Sequence, residues 1–104
     1  MDNLIKNEKL NQLFSYYKNL LTDKQQTYFK EYYYYDLSLQ EIADKYSVSR
    51  NAVFDQLKRV ENNLNDLEDK LKLFSLSSKR IDLIDKYLET KDTKYLDELR
   101  KLDL

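Results

Sequence analysis

A chain of 104 residues that contains neither glycine nor proline has few ways to turn. Glycine is the default residue where the backbone needs a positive φ, and proline pre-sets the first corner of many tight turns. Positive-φ positions must therefore fall to Asn, Asp or Ser, and a glycine-rich loop cradling phosphate is excluded. Hairpins usually leave Asn-Gly or Asp-Gly signals between alternating apolar residues. Here Leu, Lys, Glu and Gln recur instead at spacings of three and four. The expected fold is all-α, and the length predicts one helical domain over residues 1–104.

Leu10, Leu13, Phe14, Tyr17, Leu20 and Leu21 form one helical stripe, which Leu4 and Ile5 extend toward the N-terminus. Thr22 followed by Gln25 is a capping box, so a first helix ends near Leu21 and a second begins there. In the run YFKEYYYYDL, helical spacing puts Tyr28, Tyr32 and Tyr35 on one face with Phe29 and Tyr33 beside them. Only Tyr34 points elsewhere. Its ring is open to base stacking or to a partner side chain, although an isolated surface tyrosine needs no such explanation. The other rings are expected to pack inside, and an AT-rich genome would account for the abundance of Tyr, Lys and Asn.

Ser38 and Glu41 repeat the capping box and open a short third helix with Leu39, Ile42, Ala43 and Tyr46 inward. YSVS interrupts that pattern, and Ser49 is placed to cap a fourth helix starting at Arg50. Two closely spaced helices, a small Ala43 at their crossing and Val48, Val53 and Leu57 beyond it make a helix-turn-helix pattern over about residues 38–60. Val53, Leu57, Val60, Leu64, Leu67, Leu71 and Phe74 then recur at alternating spacings of four and three, a heptad seam that predicts a long helix to about residue 74. SLSSKR should break it. C-terminal helices are predicted over about 78–102, the fifth burying Ile81, Ile84 and Leu88 and a short sixth burying Tyr95 or Leu96 with Leu99 and Leu102.

The segment from Leu21 to Phe74 resembles the YlxM family of small bacterial helix-turn-helix proteins, through LTDKQ, YYYYDLSLQEIA and VSRNAVFDQLKR. The last two stretches also resemble the fourth region of sigma factors. That resemblance implies an all-helical regulatory protein of about this length, linked to the signal recognition particle pathway by the neighbourhood of its genes. The implied partners are DNA, signal recognition particle RNA or signal recognition particle proteins. Ser47 departs from the pattern, since the turn position it occupies is usually Asn or Gly.

If the motif reads DNA, the residues that carry it are Ser49, Arg50, Asn51, Asp55, Gln56 and Lys58. Ser49 and the amides behind it suit a phosphate, Arg50 guanine or phosphate, Asn51 adenine, and Lys58 backbone charge. Asp55 would repel a polyanion unless it accepts from cytosine or orients an arginine. The plainer reading makes Arg50 and Asp55 a surface ion pair and Ser49 only a cap. Val60, Leu64, Leu67, Leu71 and Phe74 are the expected homodimer interface, against the plainer possibility that the same leucines are buried within one chain.

Charge divides the function classes. The net formal charge is −1, and only the stretch 38–60 is basic, by a single charge, so strong sequence-independent nucleic-acid affinity is not predicted. A protein-interaction module that docks targeting-machinery components without DNA is the competing reading. Lacking Cys and His, the chain has no thiol nucleophile, imidazole base or ordinary zinc ligands, and its carboxylates are scattered over amphipathic faces. No enzyme activity, cofactor or metal is expected. No apolar run approaches a bilayer span and no signal pattern opens the chain, so a cytoplasmic location without membrane insertion is expected.

Overall fold

The computed structural model describes residues 8–104. Leu4 and Ile5 lie outside the described residues. The described residues are mostly helical: α1 (Glu8–Tyr17), a 3₁₀ turn (Lys18–Leu20), α2 (Asp23–Phe29), a π turn (Lys30–Tyr34), α3 (Leu39–Tyr46), α4 (Arg50–Leu71), α5 (Leu73–Thr90) and α6 (Lys94–Lys101). The chain divides into two compact units, one ending at Lys70 and one starting at Leu71.

Both capping boxes are in place. The Thr22 hydroxyl accepts from the Gln25 amide and Gln25 Oε1 accepts from the Thr22 amide, each at 3.1 Å. Ser38 and Glu41 make the same reciprocal pair at 3.0 Å. Each box satisfies two amide donors that a helix start leaves orphaned, and removing such a cap costs on the order of 1 kcal/mol. The helix starts are thus set by local chemistry before any packing.

The first unit has a closed core. Tyr28, Tyr32, Leu39, Ile42, Ala43, Val53 and Leu57 form one buried cluster, against which Tyr33, Leu37, Val48 and Phe54 pack. Ala43 is fully buried, as a small residue at a helix crossing must be. Phe14 of α1 stacks on Phe29 of α2 with ring centres 4.1 Å apart, and Phe29 stacks in turn on Tyr33 at 4.4 Å. The Tyr17 hydroxyl donates to Glu68 Oε1 at 2.7 Å, which ties α1 to the far half of α4.

The tyrosine run does not follow the α-helical spacing expected of it. Tyr35 donates its amide to the Lys30 carbonyl and Leu37 to that of Glu31, both at 2.9 Å, so the hydrogen bonds skip five and then six residues instead of four. Each residue of a π turn advances less around the axis than in an α-helix, and Tyr35 is carried off the buried face to 68% exposure. Tyr28 and Tyr32 remain buried and Tyr33 half-buried. Tyr34 is half-exposed, yet its ring meets Phe14 and Phe29 edge-on at 5.7 and 6.0 Å. Leu20, also expected on the inner stripe, is exposed because the 3₁₀ turn tightens the end of α1.

The heptad seam is divided. Val53, Leu57, Val60 and Leu64 are buried within the first unit, Leu67 is half-buried and Leu71 exposed, while Phe74 lies on α5. Val60 and Leu64 have no accessible surface, which removes them from the expected dimer interface. The helix also stops earlier than about residue 74. Lys72 adopts φ 56°, in the left-handed region, and α5 starts at once at Leu73, ahead of the SLSSKR stretch expected to be the break.

In the second unit α5 packs against α6. Leu83 is buried at their contact, with Leu76, Tyr87, Tyr95, Leu99 and Leu102 half-buried. Ile81, Ile84 and Leu88, the positions expected to face inward, are exposed. Residues on α5 at 76, 83 and 87 share one stripe and those at 81, 84 and 88 another, and α6 covers the first.

Candidate nucleic-acid interface

The helix-turn-helix is built by backbone hydrogen bonds at the end of α3. Ser47 sits at φ 55°, ψ 44°, and the Val48 amide reaches back to the Ala43 carbonyl at 3.0 Å. The Ser47 amide bonds the Asp44 carbonyl at 3.4 Å, completing a Schellman-type cap. A serine therefore takes the left-handed position usually given to Gly or Asn, at a cost of about 1 kcal/mol relative to glycine. Val48, the next residue, turns into the core cluster and anchors the loop.

Ser49 begins α4. Its hydroxyl accepts from the Ala52 amide at 3.0 Å and its carbonyl from the Val53 amide at 3.2 Å, which makes it the N-cap. Behind that cap Arg50, Asn51 and Asp55 are exposed on the first turns. Lys58 is partly exposed and stands 3.5 Å from Glu61 on the next turn. Gln56 does not join them: it is half-buried, and its side-chain oxygen is enclosed without a hydrogen-bond partner. Its Oε1 is enclosed beside the buried Val53 and Leu57 stripe, which sets it apart from the exposed Arg50, Asn51 and Asp55.

Arg59 was missed from the candidate set. It is exposed, one turn beyond Asp55, and helical spacing places Asn51, Asp55, Lys58, Arg59 and Asn62 on the side of α4 opposite the core. The signal was available in the sequence, since any residue four beyond an outward position is itself outward.

A second group of polar side chains braces the last turn of α3. Glu31, buried on the π turn, accepts from both Lys45 Nζ and the Tyr46 hydroxyl through Oε1, the latter at 2.7 Å. The hydrogen bond to Glu31 raises Lys45 above the usual lysine range and Tyr46 above the usual phenol range. Tyr46, expected inward, thus lies partly exposed with its hydroxyl held by a carboxylate and its ring 5.4 Å from that of Tyr28. Beside the turn, Lys24, Thr27, Tyr28, Tyr46 and Val48 line an open hollow of about 350 Å³. The Lys24 ammonium stands 5.6 Å from the centre of the Tyr28 ring.

These groups can offer hydrogen bonds, a helix N-terminus and modest positive charge, because Lys45 and Lys58 each already face a carboxylate. Among the described residues, no cluster of three or more His, Cys, Asp or Glu side chains could hold a metal ion. Among the same residues, no helix is long and apolar enough to cross a membrane.

A family model described as "Putative helix-turn-helix protein, YlxM / p13 like" matches residues 4–103. The chain belongs to this family, UPF0122. A UPF0122 protein of Bacillus velezensis is 42% identical over 96% of this chain and 98% of its own length. The UPF0122 protein YofM of Lactococcus lactis is 42% identical over 94% of this chain and 93% of its own. One from Bacillus pumilus is 48% identical over 83% and 78% respectively. The match takes in α1 to α6, past both ends of the Leu21–Phe74 segment that carries the sequence resemblance.

Proposed function

We propose that this UPF0122 chain is a nucleic-acid-binding regulatory protein that presents the first turns of α4 to the major groove of duplex DNA. The observation that carries this reading is the α3–Ser47–α4 arrangement. A left-handed turn residue, a half-buried anchor at Val48 and a serine cap leave Asn51, Asp55, Lys58 and Arg59 outward on the second helix. Arg50, Lys58 and Arg59 meet phosphate or guanine, Asn51 meets an adenine edge, and Asp55 sets the pairing of a neighbouring cation. Association with the signal recognition particle pathway, drawn from the family resemblance, makes its RNA the second nucleic acid to try.

A second reading is favoured by charge. The chain is net −1, and Lys45 and Lys58 are paired within it, so the same surface suits a protein of the targeting machinery.

Fluorescence anisotropy of labelled duplex DNA and, separately, of signal recognition particle RNA decides between them, at low and at near-physiological salt. Salt-sensitive binding that weakens and loses salt slope in Arg50→Ala/Lys58→Ala, and again in Arg59→Ala, with helicity unchanged by circular dichroism, is the expected result. Binding that ignores all three substitutions takes α4 out of the interface. No binding at low salt moves the search to protein partners.

A further inference from the structure

The exposed stripe of α5 is the strongest feature that the helix-turn-helix leaves unused. Ile81 and Leu88 are each 57% exposed and Ile84 42%. Together with the half-buried Phe74 and with Ser77 they recur at spacings of three, four, three and four, the a and d positions of a short heptad seam. Three adjacent branched aliphatic side chains on one helix face approach the size of patch that marks an interaction site.

We infer that this face pairs with the same face of a second copy of the chain, α5 lying parallel to the partner's α5. Charge argues for a copy of itself. With Phe74, Ile81 and Leu88 at a, Arg80 falls at g and Asp85 at the e position five residues on. In a parallel pair g faces the e position of the partner's next heptad, so Arg80 meets the partner's Asp85, and the reverse contact forms by symmetry. An antiparallel pair seats g beside g and e beside e, so the Arg80–Asp85 contact between copies would not form.

Size argues the same way. The unit from Leu71 to Leu104 is shorter than the ~40 residues below which small domains need disulfides, metal or oligomerisation. The chain has no cysteine, and no metal-holding cluster is found among the described residues. Two α5–α6 hairpins meeting along α5 make a four-helix arrangement in which the stripe becomes core. The dimer expected from the α4 seam is thereby moved to α5, since Val60 and Leu64 are already used within one chain.

Light scattering of the full chain between about 1 and 100 µM tests this, a range that reveals a weak dimer by mass action. The wild type should form a dimer, and Ile84→Lys/Leu88→Lys should be monomeric with its helicity retained, because both positions are exposed in the single chain. Charge reversal supplies an independent arm. Arg80→Asp should weaken the dimer about tenfold, and adding Asp85→Arg should restore it. Loss of the internal Arg80–Asp103 pair, which spans 2.7 Å, could not be repaired by a change at residue 85. A wild type that stays monomeric at 100 µM, a dimer indifferent to the two lysines, or an Arg80→Asp defect that the second reversal fails to repair would each overturn the assignment.

Discussion

The two units of this chain carry similar amphipathic patterns and reach different degrees of closure. Among the described residues, every apolar side chain of core-level burial lies between Leu10 and Leu64, with the single exception of Leu83. Val53 and Leu57 of α4 are covered because the tyrosine segment and α3 supply apolar surface against them. Within its own unit α5 packs against α6, and at 1.5 Å per residue the eight residues of α6 span about 12 Å against about 27 Å for the eighteen of α5. A heptad pattern therefore states that a face wants cover without saying where the cover comes from.

The comparison can be broken most forcefully from the first unit. Phe29→Ala removes the ring shared by the Phe14 and Tyr33 stacks and should cost about 3–5 kcal/mol in urea unfolding. That is a large share of the ~5–15 kcal/mol typical of a small protein. In the second unit the matching change is Leu83→Ala, expected to cost about 2 kcal/mol. By hydrogen exchange the loss of protection should be confined to α5 and α6. Equal loss across α1–α4 would mean that the two units unfold as one.

The left-handed residues sharpen the contrast at smaller amplitude. Ser47 and Lys91 both hold positive φ at helix ends, and Lys91 closes α5 by donating to the Tyr87 carbonyl. Ser47→Gly and Lys91→Gly should each stabilise by about 1 kcal/mol through relief of the side-chain clash. The first should raise protection in α3–α4 and the second only in the C-terminal hairpin.

The smallest effect at neutral pH is expected at Tyr33. Burial pushes its phenol well above the usual range, with the Glu61 carboxylate and Tyr32 adding to the shift, and its hydroxyl is buried without a partner. Tyr33→Phe should change stability by less than about 1 kcal/mol at pH 7, since it removes an unsatisfied polar atom. Its signature is alkaline. The folded state favours the neutral phenol, so this contribution is whole below about pH 10 and is lost as pH rises from there toward the higher folded value. The phenylalanine variant should lose less stability than the parent in that window. Lys45 and Tyr46 are raised too, so the difference between the two proteins is the quantity to measure.

Much of the helix-turn-helix was legible because it is specified locally. The boxes at Thr22/Gln25 and Ser38/Glu41, the cap at Ser49 and the placement of Ala43 and Val48 each involve residues a few positions apart. What was not legible depended on competition between alternatives close in energy. Nothing in the letters marks Lys72 as the left-handed break, because lysine has no preference for that region, whereas Ser77 and Ser78 carry a recognised helix-start signal that the fold leaves unused. The half-burial of Gln56 belongs to the same class, since it follows from where the Val53 and Leu57 stripe meets its cover, which only the assembled core determines.

The π turn at Lys30–Tyr34 has a consequence for how the chain tolerates changes in length. A wide turn holds more residues than an α turn over nearly the same rise, so it stores a surplus position inside a continuous helix. Deleting one tyrosine from the run could be absorbed there by relaxation to ordinary α-helix, leaving the Phe14–Phe29 stack on one side and the Ser38 box on the other close to where they stand. A deletion within α3 would instead rotate Ile42 and Ala43 away from the crossing they fill. The four tyrosines are thus a place where a gene could lose a codon and the helix-turn-helix keep its register.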